Sequence, residues 1–174
     1  LIDLVSADDG TDSISVFYGH AHGSFSAPIK YWTGYDSSPR SLAHGDLNKD
    51  GYVDLVIAHY GTDSIGILLG NAKHSFENLI VVQLRPGSHP HSITVGDFDG
   101  DMVLDIAVAN HGDHSIAVLL NNGTGSFRSP DVYSLGGMAP YSISTVDIDQ
   151  DNRTDLIVSN NGTTNLVVLI GHGD

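Results

Sequence analysis

Asp97-Phe98-Asp99-Gly100-Asp101-Met102-Val103-Leu104-Asp105 sets carboxylates at positions 1, 3, 5 and 9 of a nine-residue stretch. Four carboxylates gathered in alternation either repel one another or hold a cation. The donors are all oxygen, with no Cys or His among them, which favours a hard ion, calcium over zinc. The pattern stands twice more. Asp46-Leu47-Asn48-Lys49-Asp50-Gly51-Tyr52-Val53-Asp54 begins 51 residues earlier, and Asp147-Ile148-Asp149-Gln150-Asp151-Asn152-Arg153-Thr154-Asp155 begins 50 residues later. Three such loops at near-constant spacing make a repeat architecture.

The elements that position these loops repeat with them. Aligned on the last loop aspartate, four copies appear, at Asp3, Asp54, Asp105 and Asp155. Each is followed by a short apolar, β-branched run: Leu4–Ala7, Leu55–Ala58, Ile106–Ala109 and Leu156–Ser159. Such runs are too brief for helices and read as strands buried on both faces. A polar turn follows (Gly10-Thr11-Asp12-Ser13 and its equivalents), where Gly is expected to supply a positive φ. A second strand comes next, as in Ile65–Leu69. A third is expected to open at Gly23-Ser24-Phe25, His74-Ser75-Phe76 and Gly125-Ser126-Phe127, the Phe plugging the gap between sheets. Pro39, Pro90 and Pro140 precede a fourth strand that runs into the loop, a permitted place for proline.

This reads as an all-β chain of propeller-type blades, four antiparallel strands each, with the calcium loops between strands. About three and a half blades are expected over residues 1–174, one repeat segment with units near 1–45, 46–96, 97–146 and 147–174, the outer two partial. Strand counts of three, four, four and three are expected. The first blade lacks its innermost strand and the last its outermost. The chain starts and stops within repeats and reads as an interior slice of a longer or processed chain.

The net charge of −14 argues against nucleic acid and anionic membrane as partners. Eleven of the 21 acidic residues sit in the three loops, and three divalent ions would bring −14 to −8. There is no cysteine, so calcium is the available staple. No apolar run approaches a membrane span.

These motifs resemble the FG-GAP (VCBS-type) repeats of the integrin α-subunit β-propeller and of many secreted or surface proteins. No Trp-Asp pair of the WD type occurs, and only one Gly-Gly pair, Gly136-Gly137, where kelch repeats carry one per blade. The resemblance implies that the loop joins the first two strands of a blade and binds calcium through positions 1, 3, 5 and 9 plus the carbonyl of position 7. The sites it implies are Asp46, Asn48, Asp50, the Tyr52 carbonyl and Asp54; Asp97, Asp99, Asp101, the Val103 carbonyl and Asp105; and Asp147, Asp149, Asp151, the Arg153 carbonyl and Asp155. Asp3 belongs to a fourth, incomplete site. Position 6 wants a positive φ, which suits Gly51 and Asn152 and costs Met102. An EF-hand would need flanking helices and a Glu at position 12, where Ile57, Val108 and Val158 stand.

The ten histidines, including His20-Ala21-His22 and His89-Pro90-His91, read as turn-surface residues, because the repeats do not keep them. No catalytic motif is present, and no enzyme is expected. Asn122 and Asn161 are glycosylation candidates in turns; the sequon at Asn152 lies inside a metal loop. The expected function is an extracellular, calcium-binding structural or adhesive scaffold, its partner itself or neighbouring repeats, in a closed ring or a head-to-tail filament. A glycan- or protein-recognition module is the alternative.

Overall fold

The computed structural model describes residues 1–162 and 165–173. Strands β1 (Leu4–Asp8), β2 (Ser13–Phe17) and β3 (Ile29–Trp32) form the first sheet. The second sheet is β4 (Pro39–Gly45), β5 (Asp54–His59) and β6 (Ser64–Leu68). A two-residue hairpin, β7 (Gly70–Asn71) with β8 (Ser75–Phe76), then precedes its outermost strand, β9 (Ile80–Gln83). The third sheet is β10 (Pro90–Gly96), β11 (Asp105–Asn110), β12 (Ser115–Leu119) and β13 (Asp131–Ser134). β14 (Ala139–Val146), β15 (Asp155–Asn161) and β16 (Leu166–Leu169) make the fourth. Among the described residues all pairings are antiparallel, and the strands per main sheet number three, four, four and three. Each acidic loop joins the first and second strands of a sheet, so the sequence repeat counted from the loop straddles two sheets by one strand.

The sheets stack in chain order. Ile14 and Val16 meet Leu55, Ile57 and Leu68 between the first and second. Val56, Ile65 and Ile67 meet Ile106, Val108 and Leu119 between the second and third. Ala107, Ala109 and Ile116 meet Ile143, Leu156 and Val158 between the third and fourth. Burying each large aliphatic side chain is worth about 1.5–3 kcal/mol. Every residue of β5 and β11 is buried, because a sheet covers each of their faces. Neighbouring first strands are also bonded directly. The Ile93 N–H donates to Ser41 Oγ and the Ile143 N–H to Ser92 Oγ, both at 3.2 Å.

The Gly/His-Ser-Phe triplets do not open the outer strand. They close a small hairpin before it, through β8 paired with β7 beside the second sheet and through the isolated pairs Gly19–Phe25 and Asn121–Phe127 beside the first and third. The plug role holds where there is a gap to fill. Phe76 packs between the first and second sheets and Phe127 between the second and third, whereas Phe25, with no sheet before its own, is 47% exposed.

The turn glycines also need correction. Gly10, Gly61 and Gly112 do not have positive φ; Asp12, Asp63 and His114, two residues later, do, at 47°, 50° and 58°. Gly61 and Gly112 are required for close approach. A Cβ there would stand 2.0 Å from the Asp36 carbonyl oxygen and 2.3 Å from that of Gly87. The neighbouring aspartates latch the same inter-sheet connections. Asp12 accepts the N–H groups of Asp36 and Ser38, and Asp63 those of Gly87 and His89. In the fourth turn Gly162 does have the expected positive φ, at 79°; Thr163 and Thr164 of that turn lie outside the described residues. Asn161 likewise lies at the exposed end of β15, paired with Ala139, rather than in a turn, and Thr163 of its sequon is outside the described residues. Asn122 does lie in an exposed loop, where its Oδ1 accepts Thr124 Oγ1 at 2.6 Å.

Not all the histidines lie on turn surfaces. His44 and His91 are in strands, and His59 ends β5 fully buried, its ring in the space that Gly66 leaves free. His59 Nδ1 pairs with Ser64 Oγ at 3.2 Å, and Nε2 has no partner. Burial pushes its pKa from 6.5 to about 4.

Two predictions follow from this packing. Gly61→Ala should lower stability by at least about 2 kcal/mol in urea denaturation, while Gly10→Ala, with open space at its Cβ, should stay within about 0.5 kcal/mol. For His59, the unfolded chain binds a proton between about pH 6.5 and 4 and the folded chain does not, so stability rises with pH there. The contribution is full above about pH 6.5 and is lost toward pH 4, by on the order of 3 kcal/mol. His59→Asn, the residue carried at 110 and 160, should show a flatter stability profile across that window.

Candidate metal centre

The loop's last aspartate is its anchor. Asp54, Asp105 and Asp155 are fully buried at the first residue of each sheet's second strand. One oxygen of each accepts the N–H of position 2: Leu47 at 2.8 Å, Phe98 at 2.9 Å and Ile148 at 2.8 Å. The other accepts an N–H sixteen residues on, from Gly70, Asn121 or Gly171, each at 2.8 Å. Asp3 makes the second of these bonds, to Gly19 at 2.8 Å. Burial, the leading effect, holds Asp54 and Asp105 above the usual carboxylate range, against the pull of their two N–H donors. The N–H donors of Gly171 and Ile148 hold Asp155 below it.

The outer part of the loop is shaped by its own carboxylates. Position 1 accepts the N–H of position 6 in all three: Gly51 on Asp46 at 2.9 Å, Met102 on Asp97 at 2.9 Å and Asn152 on Asp147 at 3.0 Å. Position 5 accepts the N–H of position 7: Tyr52 on Asp50, Val103 on Asp101 and Arg153 on Asp151. Position 6 is left-handed, with φ of 85° at Gly51, 64° at Met102 and 66° at Asn152. So is position 4, with 59° at Lys49, 78° at Gly100 and 64° at Gln150. The second loop therefore carries its glycine at the other left-handed position and leaves Met102 with a strain of about 1–2 kcal/mol. The Met102 side chain itself is exposed.

The carboxylates converge differently in the three loops. Asp97, Asp99 and Asp105 bring one oxygen each within 4.8 Å of one another, and so do Asp147, Asp149 and Asp151. Asp101 and Asp155 stand outside those groups. In the first loop Asn48 Nδ2 donates to Asp50 Oδ2 at 2.9 Å, relieving the repulsion there. Arg153 Nη1 lies 3.7 Å from Asp151 Oδ2 in the third. An all-oxygen set of this density fits a hard divalent ion.

One residue of the site escaped the sequence reading. Asn121 stands where other copies carry Gly19, Gly70 and Gly171, and its buried Nδ2 donates to Leu47 O at 2.7 Å and to Leu104 O at 2.9 Å. It ties the second loop to the first. The departure from glycine at this repeat position is the signal that marks it.

Solved structures with the same fold are propeller-like. A protein from Lactobacillus plantarum superposes with a TM-score of 0.70 at 18% identity, covering 98% of this chain and 52% of its own. Virginiamycin B lyase from Staphylococcus aureus gives 0.63 at 15%, covering 95% and 47%. A streptogramin B lyase gives 0.59 at 21%, covering 92% and 48%. At these identities the likeness is one of fold, and this chain spans about half the length of each. No curated protein sequence matches it. The family model described as FG-GAP-like repeat matches residues 1–57, 46–108 and 97–158, in step with the loops and the strands that follow them, and the chain belongs to that repeat family.

Proposed function

We propose that the chain is a calcium-braced, non-enzymatic propeller module that serves as an extracellular structural or adhesive scaffold. The observation that carries this reading is the convergence of three carboxylates in each of the second and third loops. The ion would be held by Asp97, Asp99, Asp101, the Val103 carbonyl and Asp105, and by the matching residues of the other loops, including the Tyr52 and Arg153 carbonyls. Its contribution is charge neutralisation where carboxylates crowd, which clamps the first strand of each sheet to the second. A folded loop that binds calcium better than the unfolded chain is stabilised by mass action. The exposed Asn122 sequon supports an extracellular setting, and there, with no cysteine in the chain, calcium is the available staple. Neighbouring units, in a ring or a head-to-tail row, are the partners this reading favours. The lyase activity named for two structures of the same fold does not transfer with the fold.

A second reading, recognition of a glycan or protein, is favoured by Trp32 and Tyr35. They are 57% and 83% exposed and meet edge to face at 5.0 Å, next to the polar turn between β1 and β2. Binding on a broad glycan panel that disappears in Trp32→Ala would establish it.

For the calcium reading, excess chelator should lower the melting temperature by several degrees, and calcium should restore it; an identical melt in both conditions rejects it. The two kinds of loop carboxylate should also separate. Asp105→Ala leaves two buried N–H groups without acceptors and should cost about 2–5 kcal/mol in urea denaturation with or without calcium. Asp99→Asn should cost stability only when calcium is present.

A further inference from the structure

At the end of the sheets opposite the acidic loops, side chains form a continuous band across the sheets. Arg40 lies 4.8 Å over the Tyr60 ring, and its charge is taken up by Asp9 at 3.5 Å. Tyr60 stacks on His89 at 5.0 Å and meets the edge of His91 at 6.2 Å. His91 lies 5.9 Å from His111 and 4.0 Å from Tyr141, between ring centroids. The band is absent from the linear sequence because its members come from the starts of first strands and the ends of second strands.

We propose that His91 and His111 form a binding site for a divalent late transition ion of the zinc and copper class, separate from the carboxylate loops. Three observations lead there. First, His91 Nδ1 lies 2.9 Å from the Tyr141 carbonyl oxygen. A carbonyl only accepts, so Nδ1 carries the proton and the neutral ring offers the Nε2 lone pair. That is the orientation in which a ligating histidine is held by its outer contact. Second, His91 is the unpaired residue of a bulge in β10, between the Pro90–Asn110 and Ser92–Ala109 pairs. A bulge re-aims its side chain, here toward His111 just beyond the end of β11, so one sheet holds both rings. Third, the spacing fits. At metal–nitrogen distances of about 2.0–2.1 Å, two imidazoles on one tetrahedral ion place their ring centres roughly 5–6 Å apart. Imidazole donors select the zinc and copper class over calcium. The guanidinium of the band, Arg40, is paired with Asp9. Two imidazoles leave the remaining coordination positions to water or an external ligand.

The test is a Cu2+ titration of the intact chain in millimolar calcium, followed by electron paramagnetic resonance. The expected result is one equivalent with nitrogen couplings from two imidazoles. His91→Gln and His111→Gln should each weaken it at least about tenfold. The double variant His20→Gln/His22→Gln, at a separate exposed turn, should leave it unchanged. A wild-type spectrum without two-nitrogen coupling overturns the proposal, whatever the variants do. So does unchanged affinity in both His91→Gln and His111→Gln, or loss of the signal in the His20/His22 variant. Melting curves of each variant establish that the folded protein is being compared.

Discussion

A buried carboxylate with two backbone N–H donors is the constraint on which this fold depends. Asp54, Asp105 and Asp155 each close the nine-residue loop onto its second residue and the following hairpin onto its end. Loop, second strand and third strand are thereby fixed by one side chain. Removing it from water has a cost, visible in the upward shift of Asp54 and Asp105. Two N–H bonds offset that cost, and they are worth more in a buried setting than at a surface. The loop's other carboxylates have no comparable hold on the core. They arrange the outer turn by accepting its own N–H groups, and that arrangement is what brings them together.

Sheet packing sets the second constraint. The second and third sheets are covered on both faces, and their two central strands, β5 and β6 or β11 and β12, are buried at nearly every position. The end sheets differ from each other. On the side of the first sheet away from the second, Ser6 and Ser15 donate to Asp8, with Lys30 beside it, where the inner sheets carry Ile57 and Val108. On the far side of the fourth, Leu166, Val168 and Ile170 remain exposed, in the register that Ile65, Ile67 and Leu69 occupy in the second sheet. The same repeat is thus tuned to what lies against it. Between sheets, Asp12 and Asp63 hold the connections and Asn121 joins adjacent loops, so neighbouring units are linked by polar bonds at both ends as well as by the core.

The loops were legible in the sequence because their chemistry is local. A carboxylate at every second position is unusual, and three copies about 50 residues apart leave little room for chance. The strand count was legible for a related reason: short β-branched runs punctuated by Gly, Asn and Pro have one good backbone solution. The misreadings share a cause. The turn setting of Gly61 and Gly112 suggests a positive φ, the usual reason for a turn glycine. The real demand is steric and comes from a carbonyl in a preceding connection, about 25 residues away. The Ser-Phe triplets look like strand openings, yet the outer strand starts a few residues later, where it finds a partner in the second or third strand of its sheet.

By itself the sequence determined the all-oxygen side chains of the loops, the repeat length, the strand order within each unit and the left-handed position 6 of the loop. These follow from residue types at fixed short spacings. The tertiary structure decided which carboxylates converge and which are held as anchors. It also decided why Asn121 replaces a glycine, and that the His91 and His111 rings lie 5.9 Å apart. Each of these depends on contacts between residues far apart along the chain or on a bulge that turns a side chain. Register and bulges are set by how sheets pack, and packing is a property of the whole chain rather than of any short stretch.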